Sequence, residues 1–340
     1  MARSTIEDVA RLAGVSTATV SRVLTGSVPV SAELRMKVQS AADDLEYSVN
    51  VTARALRRDR TSAVGMILPD LSNPFFTLLV DGIERRIQPL GMSLLLCSSH
   101  NDSDLEARRV RSLQGSQVEV LIVAPVHVLD SGKTLRTVQR QLPLIQLDQF
   151  ADDVESDWVG IDEERGMRMM LEHLAAEGVR TASYIGAVLT DSSARARYQA
   201  ARAVAADLGI ELSGDKRLLG TFSVDWGRHA AGLIASGALP DAVVCGADVI
   251  AFGVLEGFDS LGIRVPEDVL VTGFDDIALS SHPRLSITTV RQPIDEIAEN
   301  VVEILSEILS GAQDRPVRRV PIEPELIVRS SSRKKAEVPL

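Results

Sequence analysis

Apolar positions along residues 5–24, TIEDVARLAGVSTATVSRVL, recur at helical spacing in two short sets. Ile6, Val9, Ala10 and Ala13 stand at i, i+3, i+4 and i+7, one face of a helix. Thr5 is placed to cap that helix, and Gly14 to close it in the left-handed conformation other residues resist. Ser16 opens a second helix with a stripe of Val20, Val23 and Leu24, and Ser31 a third with Leu34, Val38, Ala41 and Leu45. Helices this short are marginal in water, so they predict a small three-helix unit closed by mutual packing. Beyond Thr61 the period changes. AVGMIL, MSLLLC, VEVLIVAP and PLIQLD are β-rich runs alternating with helical stretches near 75–90, 103–115 and 131–140. DWVGID, TASYIG, RLLGTF, AVVCG and DVLVTGF continue the alternation, with helices near 163–177, 193–208, 225–236 and 247–261. A last helix near 293–310 and a strand near 325–330 follow. Alternation of this kind predicts parallel sheets with right-handed crossovers, and two sets predict two similar subdomains with a cleft at the strand ends.

Two helices joined at Gly14-Val15-Ser16 read as a helix-turn-helix, whose second helix can enter the DNA major groove. Thr17, Ala18, Ser21 and Arg22 lie off its apolar stripe. Small residues at the start of the helix let its backbone approach a base edge, and Arg22 can grip a guanine through O6 and N7. Charge agrees with a local nucleic-acid contact. The whole chain is −11, yet residues 1–60 hold nine Lys/Arg against seven Asp/Glu, so the excess acid belongs to the rest.

DVA, AGVS, TVSRVL and VSAELRMKV resemble the headpiece of the LacI/GalR (lactose-repressor-type) regulators. DLSNPFF, GID, the S-x-R-x-R of SSARAR, LGIRVPEDV and GFDD resemble the periplasmic-binding-protein-like core of the same family. The resemblance implies an all-α helix-turn-helix headpiece plus an α/β core of two parallel-sheet subdomains. Its expected boundaries are a headpiece over 1–49, a hinge helix or linker over 50–60, a core over 61–330 and a disordered tail over 331–340. Within the core, one subdomain is expected from 61–160 plus 292–318 and the other from 162–290 plus 320–330. The spacing of Tyr47, Asn50, Ala53 and Leu56 resembles the family's hinge, in which paired leucines wedge into the minor groove; Val49 departs from the proline many relatives carry. The DNA-contacting set so implied is Thr5, Ser16, Thr17, Ala18, Thr19, Ser21, Arg22, Asn50, Ala53 and Leu56. By position in the family motifs the effector set is Phe75, Phe76, Asp148, Ser193, Arg197, Phe222 and Asp275. Polyols and nucleosides are held by such aromatic faces, carboxylates and an arginine fork. Gln149, Ala247 and Ala200-Ala201 depart from the family pattern and leave the ligand unnamed.

Other chemistries fit less well. SGKT at 131–134 lacks the earlier glycine of a phosphate loop, since His127 stands there. The five histidines show no metal-ligand spacing, and no G-x-S-x-G or G-x-G-x-x-G occurs. Asp275-Asp276 is a carboxylate pair without an acid–base partner. An enzyme is the poorer reading, and no cofactor is expected. An exported solute-binding protein would share the core but carry a signal peptide and no helix-turn-helix. The first twenty residues have no apolar signal core, no run is long enough to span a membrane, and two cysteines suit a reducing cytoplasm. The expectation is a ligand-responsive regulator that binds a palindromic operator as a homodimer. Its partners would be double-stranded DNA and a sugar, polyol or nucleoside.

Overall fold

The computed structural model describes residues 5–25, 30–45, 47, 61–311 and 315–333. The chain separates into two compact units, residues 1–61 and 62–340.

In the first unit, α1 (Ile6–Ala13), α2 (Thr17–Thr25) and α3 (Ala32–Asp44) pack around Val9, Val20, Val23, Val38, Ala41 and Ala42. Thr5 and Asp8 form a reciprocal capping box at the start of α1. Gly14 has φ +65°, and the Val15 N–H donates to the Ala10 carbonyl at 3.0 Å. The Ser16 hydroxyl accepts from the Thr19 N–H at 3.1 Å, and Ser31 caps α3. Each cap therefore falls where the sequence puts it. The expected hinge residues Asn50, Ala53 and Leu56 lie outside the described residues.

The second unit holds two sheets. The first has strand order β12-β5-β4-β3-β1-β2, all parallel. Its strands are β1 (Ala63–Leu68), β2 (Ser93–Ser98), β3 (Val120–Val123), β4 (Leu144–Leu147), β5 (Asp157–Ile161) and β12 (Arg319–Ile322). The second runs β13-β11-β10-β9-β6-β7, with short β8 (Leu219–Gly220) on β6. Its strands are β6 (Thr181–Ala187), β7 (Glu211–Ser213), β9 (Ala242–Cys245), β10 (Leu270–Asp275), β11 (Thr288–Arg291) and β13 (Glu325–Ile327). Helices α4 (Pro74–Ile87), α5 (Ser103–Gly115), α6 (Asp130–Val138) and α11 (Ile294–Leu309) accompany the first sheet. Helices α7 (Glu163–Ala176), α8 (Ser192–Asp207), α9 (Val224–Ala235) and α10 (Asp248–Ser260) accompany the second. One apolar cluster, from Val64 and Met66 to Phe258 and Phe274, runs through both halves, and a smaller one around Leu121 and Leu135 fills the far face of the first sheet.

Several details differ from the sequence expectation. Thr288–Arg291 and Arg319–Ile322 are strands that the apolar pattern does not reveal. The latter is an edge strand with exposed Arg319 and with Pro321, residues that edges tolerate and central strands do not. Because it pairs with β5, the third crossing between halves comes after Ile322 rather than near 318–320. β13 pairs antiparallel with β11, so the second sheet is not wholly parallel. SGKT, as expected, forms no phosphate-wrapping loop: it lies in the first turns of α6, with Ser131 and Gly132 buried. The disordered tail expected from 331 does not begin there. Ser331 donates to the Val271 carbonyl at 2.6 Å, and Ser332 to the Thr288 hydroxyl at 2.6 Å; both are buried.

Candidate functional site

On the headpiece, Ser16, Thr17, Ala18 and Arg22 are exposed, and Thr19 and Ser21 are half-buried. The apolar stripe faces inward, so the surface of α2 opposite it is available to a groove. Thr5 and Ser16 belong to the expected contact set but carry a second task here. Their hydroxyls are engaged in helix caps, Thr5 with Asp8 and Ser16 with Thr19.

The second unit brings all seven expected effector residues to one cleft. Phe75, Phe76, Asp148, Ser193, Arg197, Phe222 and Asp275 line it together with Asn73 and Gln149. They come from both halves. Asn73 caps α4, accepting from the Phe75 N–H at 3.1 Å, and Pro74 occupies its first turn. That start sets Phe75 and Phe76 side by side, ring centroids 5.2 Å apart. Both rings also belong to the core, so packing and cleft lining coincide in them. Asp148 follows β4 and Asp275 ends β10, the carboxyl ends where open α/β sheets place ligands. Asp148 has φ +59° and Asp275 φ +115°, conformations that cost a non-glycine residue about 1–3 kcal/mol unless its surroundings enforce them.

Arg197 is the hub. Its Nε and Nη2 donate to both carboxylate oxygens of Glu163 at 2.6 and 3.1 Å. Nη1 donates to the Gly246 carbonyl at 2.9 Å and lies 3.6 Å from Asp275 Oδ1, while the guanidinium lies 3.9 Å from the Phe274 ring centroid. The ion pair with Asp275 is internal to the second half of the core and does not bridge the halves. Gln292 Nε2 donates to Asp275 Oδ1 at 2.7 Å. Burial pushes Asp148 up to about 8 despite the Arg197 charge, and pushes Asp275 well above the usual carboxylate range. Asp148 is therefore protonated near neutral pH and can donate as well as accept. Asp148 Oδ1, Gln149 Oε1 and Gln292 Oε1 are buried without a hydrogen-bond partner, a costly state unless a ligand or water supplies donors.

The halves also touch directly beside the cleft. The Val128 N–H donates to the Thr190 carbonyl at 2.8 Å, and the Phe150 N–H to Ser192 Oγ at 2.8 Å. Arg195 pairs with both oxygens of Asp152 at 3.1 and 3.0 Å. The cleft encloses about 20 Å³, roughly one water site. A sugar-sized guest enters only if the halves part.

Glu163 and Gln292 are the site residues that the sequence alone did not point to. Glu163 sits one residue past the helix cap Asp162, where a carboxylate is ordinary helix chemistry. Asp276, half of the adjacent pair, is held by Arg291 and Arg329 at 2.7 Å each and is structural. Among the described residues no group of His, Cys, Asp and Glu is arranged to hold a metal, and no helix is long and apolar enough to cross a membrane.

A capped helix-turn-helix unit and a two-sheet clamp around a polar cleft define a DNA-binding regulator with a ligand-sensing core. Residues 5–50 match the model of bacterial regulatory proteins, lacI family, and residues 171–332 that of a periplasmic binding protein-like domain. The ribose operon repressor of Escherichia coli (strain K12) is 31% identical over 303 residues, 89% of this chain and 92% of that protein. The HTH-type transcriptional regulator DegA of Bacillus subtilis (strain 168) is 30% identical over 332 residues, 97% of this chain and 98% of that protein. The crystal structure of the lac repressor dimer bound to operator and the anti-inducer ONPF aligns with a TM-score of 0.82 at 25% identity, covering 98% and 100% of the two chains. A complex of the regulator CelR with cellobiose aligns with a TM-score of 0.71 at 27% identity, covering 97% and 100%. The chain belongs to the lacI family of bacterial regulatory proteins and is a DNA-binding transcriptional regulator. The curated relatives it matches are transcriptional regulators, several of them repressors, and are not enzymes.

Proposed function

We propose that this protein binds a palindromic operator as a homodimer and represses transcription, and that a small neutral polyhydroxylated ligand in the cleft sets its affinity for DNA. The carrying observation is the convergence of the seven cleft residues from both halves on two unfilled acceptors, Asp148 Oδ1 and Gln149 Oε1. Ligand hydroxyls would donate to those acceptors, accept from protonated Asp148 and hydrogen-bond the Asp275 carboxyl, while the phenylalanine rings cover an apolar sugar face. The charge of Arg197 is already paired with Glu163 and lies beside Asp275, and its Nη1 donates to the Gly246 carbonyl, which favours a neutral ligand over an acidic one. Relatives that carry ribose and cellobiose in their names favour sugars over nucleosides. On the headpiece, Thr17, Ala18, Ser21 and Arg22 read bases, and Thr5, Ser16 and Thr19 adjoin the phosphate backbone. Asn50, Ala53 and Leu56 act as the hinge that pairs in the minor groove. Half-exposed Leu95 and Leu96 on edge strand β2 favour a second copy as the dimer partner.

The test is a thermal-shift and calorimetric panel of neutral pentoses, hexoses, polyols and nucleosides, with their carboxylated and phosphorylated counterparts. A neutral member should bind one site per chain and lose its binding in Asp275→Ala. Binding restricted to carboxylates, or equal binding by the variant, contradicts the assignment.

A further inference from the structure

A groove on the first half, which shares no lining residue with the cleft, runs between α5 and α6. It has a volume of about 320 Å³. Val110 and Val138 form its apolar floor, and Arg111, Gln114, Lys133, Thr134 and Thr137 form its rim. Lys133 and Thr134 come from the SGKT run, which the fold places in a helix rather than a loop. The motif's cation and hydroxyl are thus presented sideways to Arg111 across the groove.

The local charge is opposite to that of the chain. Arg111 and Lys133 are exposed and form no ion pair among the described residues. Arg108, one turn before Arg111, and Arg136, one turn after Lys133, are exposed as well. Two of the nearby acids, Asp130 and Glu106, are engaged by other groups. Asp130 faces His127 at 3.5 Å, and Glu106 turns inward to accept the Val126 N–H at 2.9 Å. Burial raises Glu106 above the usual carboxylate range. On a chain of net charge −11, four exposed cations on two facing helices, Arg108, Arg111, Lys133 and Arg136, are an unlike patch.

We propose that this groove is a second ligand site, independent of the cleft, that takes a small phosphate monoester. The guanidinium of Arg111 can engage two phosphate oxygens, and the Lys133 ammonium supplies a point charge from the opposite wall. The Thr134 hydroxyl, on the same wall as Lys133, can donate to a third oxygen, whereas the Gln114 amide nitrogen already donates to Gln141 Oε1 at 2.7 Å. A tetrahedral dianion can meet donors on both walls at once, which a planar monocarboxylate cannot. The two valines leave room for an uncharged organic portion. An acidic protein segment is the competing occupant. A groove of small-molecule size, floored by two valines and rimmed by hydroxyls, favours the smaller ligand.

The experiment titrates the full-length protein with glucose 6-phosphate, inorganic phosphate, sulfate and glucose at about 50 mM salt, followed by calorimetry and by phosphorus NMR. Glucose 6-phosphate should bind one site, and Arg111→Ala and Lys133→Ala should each weaken it by about tenfold. Lys133→Glu should abolish it, with the circular dichroism spectrum unchanged because the side chain is exposed. Asp275→Ala should leave it intact, which separates this site from the cleft. Sulfate binding as well as the phosphate ester, binding undiminished in Lys133→Glu, or affinity for an acidic peptide alone would each overturn the proposal.

Discussion

At the scale of single residues, the cleft concentrates backbone strain and displaced protonation in the same side chains. Asp148 and Asp275 both have positive φ and both lie buried against one arginine. Asp148 is raised to about 8 when folded, while an unfolded aspartate ionises near 3.9. Between those values the unfolded chain has lost a proton that the folded chain keeps. Its burial therefore costs stability progressively as pH rises from about 4 to about 8. Asp148→Asn removes that penalty and keeps the shape. The melting temperature of the variant should fall less than that of the wild type between pH 6 and 9, and equal slopes would show that Asp148 does not titrate there. The motif positions made all seven cleft residues legible in the sequence. Glu163, which orients Arg197, was not, because a glutamate in the first turn of a helix satisfies the helix dipole wherever it occurs. Gln292 was hidden for a different reason: its partner Asp275 is seventeen residues away across a strand.

At the scale of elements, apolar runs and capping residues placed the helices and the central strands. β11 and β12 escaped because Thr, Arg and Pro carry the pairing, and their neighbours in the sheet supply the burial. The contact between α9 and α10 was equally invisible. Gly253 meets the backbone of α9 directly: a Cβ there would collide with the Val224 carbonyl oxygen and lie 2.7 Å from the Arg228 nitrogen. Glycine, normally a cost inside a helix, here permits close approach of two backbones. Gly253→Ala should destabilise the core by about 1–3 kcal/mol through overpacking. Urea unfolding of both proteins measures this, and an unchanged midpoint would mean that the helices can separate without loss. The bonds beside the cleft act at the same scale. Asp152–Arg195 and Phe150–Ser192 join the loop after β4 to the first turn of α8 in the opposite half, so parting of the halves at this edge would break them.

At the scale of the whole molecule, DNA contact and ligand cleft belong to two units, each with its own core, and regulation requires coupling between them. The hinge positions 50–58 are read from the sequence as a helix too short to persist unaided. That makes it a suitable bistable element: cleft closure would change whether two copies can pair it in the minor groove. Couplings of this kind amount to about 1–3 kcal/mol, or roughly five- to 150-fold in affinity. The most direct test is an operator titration with the cleft ligand absent and saturating, at one salt concentration, using DNA selected from a random pool by the wild-type protein. The wild type should change its operator affinity within that range. Arg22→Ala should lose base preference at one position of each half-site, a change of about 1–3 kcal/mol. Asp275→Ala should bind the operator as the wild type does without ligand and give no response when ligand is added. An Asp275→Ala protein that still responds in full would contradict the claim that the cleft governs the DNA contact.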